Sequence, residues 1–376
     1  MDQAKIPEDP RQRSPGAATA NARRGMGIGI VGCGYWGINY VRVFEELAES
    51  RVVGVCDPNE ERLSRVRQRF PTVATYADLN ALLEDPGIEA VVVATPSATH
   101  YALAHQCLSS GRHVLVEKPF VMDIAQGETL ITLAQQSQQT LMVGHTFLYN
   151  PSVRKMREYI AAGDCGDVYY LHATRTNLGP IRKDANALWD LIPHDLSIFS
   201  YLLGSRPIWV SAVATKLLRN NREDVGFVTL AYPNGILGQV HVSWADPDKV
   251  REVVLVGSKK RIVFNDLNTT ESIRIFEKGI SPSETDVDSF GEFRLLIRDG
   301  DIISPRVEAS EPLKNQCAHF LECAVTGAKP LSDGENGLEV VRTLVAIDES
   351  VRRNGAPVEV RSPAGSLQRA EQVETR

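Results

Sequence analysis

Between residues 26 and 147, short apolar runs alternate with longer stretches that repeat apolar residues every three to four positions. The runs predict strands at Gly27–Val31, Val52–Cys56, Val73–Thr75, Ala90–Ala94, His113–Val116 and Thr140–Gly144. The helical period predicts helices at Trp36–Ala48, Glu60–Arg69, Leu79–Leu83, Thr99–Ser109, Ile124–Gln138 and, just beyond, Ser152–Ala162. Val91-Val92-Val93 and Val114-Leu115-Val116 are apolar on both faces, as in a parallel sheet covered by helices on each side. The fold class expected here is an α/β Rossmann domain, a doubly wound parallel sheet.

Beyond Asp167 strand-like runs dominate: Val168–Thr176, Ile208–Leu217, Gly226–Tyr232, Ile236–Trp244, Arg251–Ser258, Arg261–Asp266, Ser272–Glu277 and Glu292–Ile297. Pro233-Asn234-Gly235 and Arg298-Asp299-Gly300-Asp301 read as hairpin turns, so this sheet is antiparallel or mixed. One helix, Asp195 to Leu203, interrupts the series, and two more, Leu313–Val325 and Gly337–Arg352, follow it. The expected division is a disordered extension over 1–25, a Rossmann domain over 26–147, an α+β domain over 148–361 and a disordered tail over 362–376.

Composition narrows the function classes. A chain of 376 residues, 43% apolar and 23% charged, can hold about two domains with real cores. Its net charge of −6, without a basic block, argues against a nucleic-acid partner. No apolar run approaches the ~20 residues of a membrane span, and the first 25 residues lack the apolar middle of a secretion signal. The six cysteines form no C-x-x-C pair and no metal-ligand spacing with histidine. A reduced, cytoplasmic protein without a structural metal is expected.

The chemistry begins at the first strand, GIGIVGCGYWG, which runs into a G-x-G-x-x-G loop at Gly32, Gly34 and Gly37. Asp57 closes the next strand, RVVGVCD, 20 residues after the last glycine. That is the layout of a dinucleotide-binding unit. Gly32 permits the tight turn, Gly34 lets a pyrophosphate approach the backbone, and Gly37 lets the helix pack on the sheet. With Tyr35 and Trp36 these glycines form the candidate cradle. A carboxylate at Asp57 suits the ribose hydroxyls of NAD and repels a 2′-phosphate, although Arg62 nearby offers NADP a partner.

Later strand ends carry further candidates, because ligands in such sheets bind beyond the carboxyl ends of the strands. Thr95, Pro96 and His100 lie in the loop after the fourth strand, where Thr99 also reads as a helix N-cap. Glu117-Lys118-Pro119 follows the fifth. Lys118 is either a surface lysine at a strand end or a charge aimed into the crevice by the fixed turn at Pro119. In Trp189-Asp190-Leu191-Ile192-Pro193-His194-Asp195, Pro193 suits the first helical position. His194 then falls in the first turn, where the positive helix end favours neutral imidazole, with Asp190 and Asp195 as orienting groups. Taken alone, His194 also reads as a packing histidine. Tyr149, Asn150, Arg175, Asn177 and Trp189 are candidates for binding hydroxyls. His241 and Trp244 fall on opposite faces of one strand and receive no role.

Taken together, GCGYWG, Asp57, ATPSATHY, VEKPF and WDLIPHD resemble the Gfo/Idh/MocA oxidoreductases over about Met26 to Val360. GYWGINYVRVFEEL, VGHTFLYNPSVRKMREYI and NALWDLIPHDLSI resemble one subgroup, the UDP-N-acetylglucosamine and UDP-N-acetylglucosaminuronate 3-dehydrogenases. The resemblance implies a second domain built on an open, largely antiparallel sheet, and a homo-oligomer paired through sheet faces. It matches Lys118 to the family lysine that contacts the reacting hydroxyl, His194 to the catalytic histidine and Asp190 to the acid four residues before it. Trp189 replaces the glycines usual before that acid, and Ser197 replaces a later aspartate, which leaves the partner of His194 open. The implied activity is NAD(P)-dependent hydride transfer at a sugar hydroxyl carbon, most directly carbon 3 of a nucleotide-linked sugar. An inositol or free-sugar dehydrogenase, or a deoxysugar 3-ketoreductase, would use the same residues, whereas a non-catalytic NAD-binding sensor would have lost Lys118 or His194. A glycine loop with an acid also serves S-adenosylmethionine methyltransferases, but these have no place for the E-K-P turn or the second sheet.

Overall fold

The computed structural model describes residues 25–179, 181–182, 184–218, 221–282 and 295–361. The expected extension, the tail and the first residues of the Glu292–Ile297 run lie outside the described residues.

The first half alternates as its pattern predicts. In order come β1 (Met26–Val31), α1 (Tyr35–Glu46), β2 (Ser50–Cys56), α2 (Glu60–Arg69), β3 (Ala74–Tyr76), α3 (Leu79–Leu83), β4 (Ala90–Val93), α4 (His100–Ser109), β5 (His113–Val116), α5 (Ile124–Gln136) and β6 (Leu141–Val143). The six strands lie in the order β3-β2-β1-β4-β5-β6, every pair parallel. All four residues of β4 are buried, as are the last three of β5, because helices cover both faces. The order reverses at β1, so the crevice beyond the carboxyl ends of β1 and β4 is where such a sheet receives its ligand. Thr99 is not a side-chain cap for α4. Its hydroxyl donates to the carbonyl of Pro96 and pairs with that of Thr95 instead, which stiffens the loop.

After α6 (Pro151–Ala161) the chain builds the second sheet. Its elements are β7 (Val168–Thr176), α7 (Ala187–Leu203), β8 (Trp209–Thr215), β9 (Val225–Ala231), β10 (Leu237–Ser243), β11 (Val250–Gly257), β12 (Arg261–Asn265), β13 (Ile273–Phe276), β14 (Gly279–Pro282), β15 (Leu295–Arg298) and β16 (Ile302–Ile303), followed by α8 (Pro312–Thr326), α9 (Gly334–Arg352) and β17 (Val358–Glu359). Nine strands lie in the order β16-β13-β12-β11-β7-β10-β9-β8-β17, antiparallel except where β10 runs parallel to β7. The sheet is therefore mixed and largely antiparallel.

Two expectations are corrected here. Pro233–Gly235 does join β9 to β10, with Asn234 at φ 62° and Gly235 at φ 74° as the tight turn requires. Arg298–Asp301 is not a hairpin: β15 pairs with β14 while β16 joins β13, so the segment passes between separate sheets. The second correction concerns α7. It begins at Ala187, capped by Asn186, whose side-chain oxygen accepts from the amide of Trp189 at 2.9 Å. Pro193 lies inside the helix, where its missing N–H leaves the carbonyl of Trp189 without its intrahelical donor. A proline at a first position and one inside a longer helix look alike in sequence, and the cap at Asn186 decides between them.

One face of the second sheet packs on α7 and α9 through Leu188, Leu196, Phe199, Leu344 and Ile347. The opposite face exposes Tyr170, Val213, Phe227 and Leu237, with Phe227 stacked on His241. Helix α8 returns to the first half: Leu313, Cys317, Phe320 and Leu321 share a core with Tyr40, Val43 and Phe44 of α1. Thus the last helices brace both sheets.

A buried ion pair ties β7 to α7. Arg175 Nε and Nη2 donate to the two carboxylate oxygens of Asp195 at 3.0 and 2.7 Å, and the guanidinium lies over the ring of Phe147 at 4.6 Å. Asp195→Ala would strand this guanidinium and should cost about 3–5 kcal/mol. Truncating exposed Glu46, paired to Arg42 on the surface, should leave stability nearly unchanged. Equilibrium urea unfolding of the two variants checks the contrast.

Candidate active site

The glycine loop has the shape its sequence predicts. Gly32 sits at φ 87°, and its amide donates to the carbonyl of Cys56 at 2.7 Å. A side chain at Gly37 would meet the carbonyl oxygen of Gly32 at 1.8 Å, so only glycine lets α1 start this close to the turn. Gly34 differs, since a Cβ there would have nothing within 4 Å. That open space lies before the amides of α1, where a pyrophosphate is favoured. Tyr35 and Trp36 follow Gly34, both exposed, their rings edge to face at 5.4 Å.

Asp57 lies at the end of β2, 1% exposed. Its carboxylate accepts from the amides of Cys33 at 2.9 Å and Asn59 at 2.8 Å, and Arg62 Nη1 stands 3.3 Å away. The acid is thereby fixed to the glycine loop. Cradle, helix end and carboxylate together fit a dinucleotide with free ribose hydroxyls.

At the far end of the crevice, Lys118 follows β5 through a cis peptide to Pro119 and is buried. Its Nζ donates to the backbone carbonyl of Asp190 at 2.7 Å and to Asp190 Oδ1 at 3.1 Å. Arg182 adds a second cation to Asp190 at 3.3 Å. Burial pushes the Asp190 carboxyl up, but Lys118 and Arg182 outweigh it and hold the group below its ordinary value. Glu117 anchors the turn behind Lys118. It accepts from the hydroxyl of Tyr40 at 2.7 Å and from the amide of Lys118 at 3.1 Å, while burial raises its carboxyl above the usual range.

His194 lies four residues after Asp190, so the two share one side of α7. Its ring packs edge to face on Phe147 at 5.0 Å, and its Nδ1 is buried with no hydrogen-bond partner among the described residues. Burial, with the charges of Lys118 and Arg175, holds the imidazole well below its ordinary pKa and therefore neutral. The helix end plays no part in this, because His194 is not in the first turn. Neither acid orients it by a hydrogen bond: Asp195 is spent on Arg175, and Asp190 on Lys118 and Arg182.

The remaining candidates divide. The ring nitrogens of His100 stand 2.8 and 2.9 Å from the carbonyl oxygens of Pro119 and Thr95, clamping the β4 loop to the E-K-P turn. Its ring therefore shapes the crevice instead of facing a ligand. Of the five hydroxyl-binding candidates, all have hydrogen bonds committed within the protein. Tyr149 pairs with Ser332 at 2.9 Å, Asn150 caps α6 by accepting from Ser152, and Arg175 pairs with Asp195. Asn177 donates to the carbonyl of Gly179, and the indole of Trp189 donates to Asp348 at 2.8 Å. Polar residues at element junctions mostly satisfy backbone and neighbours.

Three site residues escaped the sequence reading. Arg182 reaches Asp190 from the loop before α7. Trp244, buried beyond β10, approaches Asp190 with its indole N–H, short of hydrogen-bond geometry. His145, just after β6, is fully buried beside Lys118. His145 lies in the stretch VGHTFLYNPSVRKMREYI, yet neither it nor Arg182 or Trp244 stands at a spacing that names a role, and the fold brings the three together.

The cradle yields a paired expectation. Gly34→Ala should leave the melting temperature unchanged yet weaken NADH binding by about tenfold or more, ~1.4 kcal/mol, because the new methyl enters the open space. Gly37→Ala should destabilise the fold itself, since its Cβ meets backbone. Thermal melts beside NADH fluorescence titrations check both.

Comparison with known proteins agrees with this geometry. Residues 26–145 match the GFO/IDH/MocA oxidoreductase family, NAD-binding Rossmann fold, and residues 153–263 match the GFO/IDH/MocA C-terminal domain. The chain is similar to the UDP-N-acetylglucosamine 3-dehydrogenase of Acidithiobacillus ferrooxidans, 28% identical over 257 residues, 68% of this chain and 78% of that one. It is also similar to the myo-inositol 2-dehydrogenase of Thermotoga maritima, 24% identical over 265 residues, 68% of this chain and 79% of that one. In fold it resembles GenD2 from gentamicin A biosynthesis, solved in complex with NAD, with a TM-score of 0.77 and 24% identity over 90% of this chain and 97% of that one. The chain belongs to the GFO/IDH/MocA family and is an NAD-dependent oxidoreductase.

Proposed function

We propose that the enzyme moves a hydride between NAD and a sugar carbon bearing a hydroxyl, at carbon 3 of a nucleotide-linked sugar. The observation that carries this reading is the pairing of Lys118, from the cofactor domain, with Asp190, one turn before the neutral His194 of the second domain. Similarity to a UDP-N-acetylglucosamine 3-dehydrogenase supports the nucleotide sugar. Similarity to inositol 2-dehydrogenases from Thermotoga maritima and Saccharopolyspora erythraea supports a second reading, a cyclitol substrate, with the same residues in the same roles.

When bound, NAD supplies the hydride acceptor at C4 of its nicotinamide. The protein's part is to hold the alcohol and take its proton. Neutral His194 accepts the hydroxyl proton at a ring nitrogen as the carbon–hydrogen bond breaks. Lys118 donates a hydrogen bond to the same oxygen, where negative charge grows, and so favours the transition state over the ground state. Asp190 holds the ammonium in place and offsets its charge. Positioning by the two domains can supply ~7–11 kcal/mol of the barrier reduction, more than a proton transfer alone.

Lys118→Ala and His194→Ala should each lower kcat by about 10²–10⁴-fold, with NADH binding nearly unchanged. The assay is NADH absorbance against a panel of nucleotide sugars, inositols and free sugars. Turnover near wild type in both variants would remove these residues from the mechanism. Activity on inositol or glucose with none on any nucleotide sugar would replace the nucleotide-sugar reading by the cyclitol or free-sugar one.

We also infer a homo-oligomer in a reducing, cytoplasmic setting. The apolar face of Tyr170, Val213, Phe227 and Leu237 supports the first, and six buried free cysteines support the second. No helix among the described residues is long and apolar enough to cross a membrane. Light scattering should give a mass above that of one chain, and Phe227→Asp should lower it. A monomeric wild type would sink the oligomer.

A further inference from the structure

Lys118 is already engaged. Its ammonium donates twice to Asp190, to the backbone carbonyl at 2.7 Å and to Oδ1 at 3.1 Å. Drawing the ammonium toward an alcohol oxygen takes it away from these acceptors. The Asp190 side chain is only 15% exposed, so a carboxylate left there without a cation would be costly.

Arg182 is placed to be that cation. Its Nη1 stands 3.3 Å from Asp190 Oδ1, the same oxygen that Lys118 contacts. The two cations thus meet on one atom, Lys118 from the first domain and Arg182 from the loop before α7. Arg182 does not depend on this contact for its own position. Its Nε and Nη2 donate to the two carboxylate oxygens of Asp184 at 3.0 and 2.7 Å, the bidentate geometry that fixes a planar guanidinium. The ammonium of Lys118, by contrast, ends a flexible four-carbon stem. Of the two, the arginine is the fixed cation and the lysine the movable one. The Arg182 side chain is 30% exposed and that of Asp184 25%, so their pair adds little to stability, and its removal reads on the site more than on the fold.

We propose that Arg182 is a positioning residue: it holds the Asp190 carboxylate in place and so frees Lys118 to hydrogen-bond the alcohol that is oxidised. This rests on the hydride-transfer reading above and adds to it the group that lets the lysine move. The charged groups facing Asp190 are Lys118 from the E-K-P turn, Arg182 from the adjoining loop and, farther off, Arg175 of β7. Trp244 and neutral His194 bring no charge. Without Arg182, Asp190 loses one of its two near cations and its carboxyl titrates at higher pH. Lys118 is then its one ion-pair partner among the described residues and is held back from the substrate.

The test uses the intact enzyme with NAD, on UDP-N-acetylglucosamine and on myo-inositol, with NADH absorbance followed across the acid limb of the pH profile. Arg182→Ala should lower kcat about ten- to a hundredfold and move the acid limb of kcat/KM to higher pH. It should leave NADH affinity and melting temperature nearly unchanged. Arg182→Lys, which keeps the charge without the fork, should restore the acid limb and recover only part of kcat. In a Lys118→Ala background, Arg182→Ala should lower kcat little further, because a group that acts through the lysine then has nothing to act on. Asp184→Asn, which opens the fork and leaves both cations in place, should lower kcat in the same direction, and it carries the test if Arg182→Ala does not fold. Wild-type kcat in the folded variants, losses that multiply in the double variant, or an NADH affinity that falls as far as kcat would each overturn the assignment. Failure of the hydride-transfer reading appears differently, as a folded, NADH-binding wild type that turns over neither substrate, and the inference falls with it.

Discussion

The contact between Lys118 and Asp190 sets the conditions for everything around it. An ammonium and a carboxylate, both largely out of water, come from opposite domains and meet at 3.1 Å. Either alone would be an uncompensated buried charge, worth about 3–5 kcal/mol against the fold. The domains must therefore pack in a geometry that keeps the pair together, and that geometry places His194 one helical turn along. A constraint of folding and a constraint of the proposed catalysis coincide in one ion pair. Arg182 gives Asp190 a second cation, which would keep the carboxylate paired if Lys118 turned toward the alcohol of the proposed reaction.

The support behind Lys118 is as specific as the contact in front. Tyr40 on α1 donates to Glu117, Gln316 on α8 donates to the Tyr40 hydroxyl at 2.9 Å, and Thr146 donates to Gln316. This chain runs from the helix of the glycine loop, through the E-K-P turn, to a helix more than 250 residues later. Buried polar groups connected in this way are useful only when all are satisfied, and here each named link is. The helix of the glycine loop and Lys118 are thus held by one network, which explains why α8 packs on the first domain although it follows the second sheet in the chain.

What the sequence made legible was local. Gly32, Gly34, Gly37 and Asp57 are recognisable because turn, close approach and strand end each dictate a residue type at a fixed spacing. The six parallel strands followed from apolar runs that a half-exposed strand could not tolerate. The E-K-P turn was readable for the same reason, being a strand end with a proline behind it. The failures were of another kind. Pro193 looked like a helix start because its partner cap, Asn186, lies seven residues earlier, and nothing local says which of two compatible starts is used. Tyr149, Arg175 and Trp189 looked available because their partners, Ser332, Asp195 and Asp348, are set by packing. His145 lay inside the stretch VGHTFLYNPSVRKMREYI, which gave it no role of its own.

These misses bear on how the site works. A reading by motif finds groups that must be of one kind, while the groups that tune them are found only by burial. His194 was expected to be neutral because of a helix end. It is neutral because it is buried near Lys118 and Arg175, a different cause with a different consequence. A helix dipole is fixed once the helix forms, whereas desolvation depends on what fills the crevice. Substrate and cofactor entering between the domains replace the remaining solvent and add their own dipoles and charge. That further desolvation keeps the imidazole neutral, so in the proposed reaction His194 meets the alcohol with a ring nitrogen free to accept its proton.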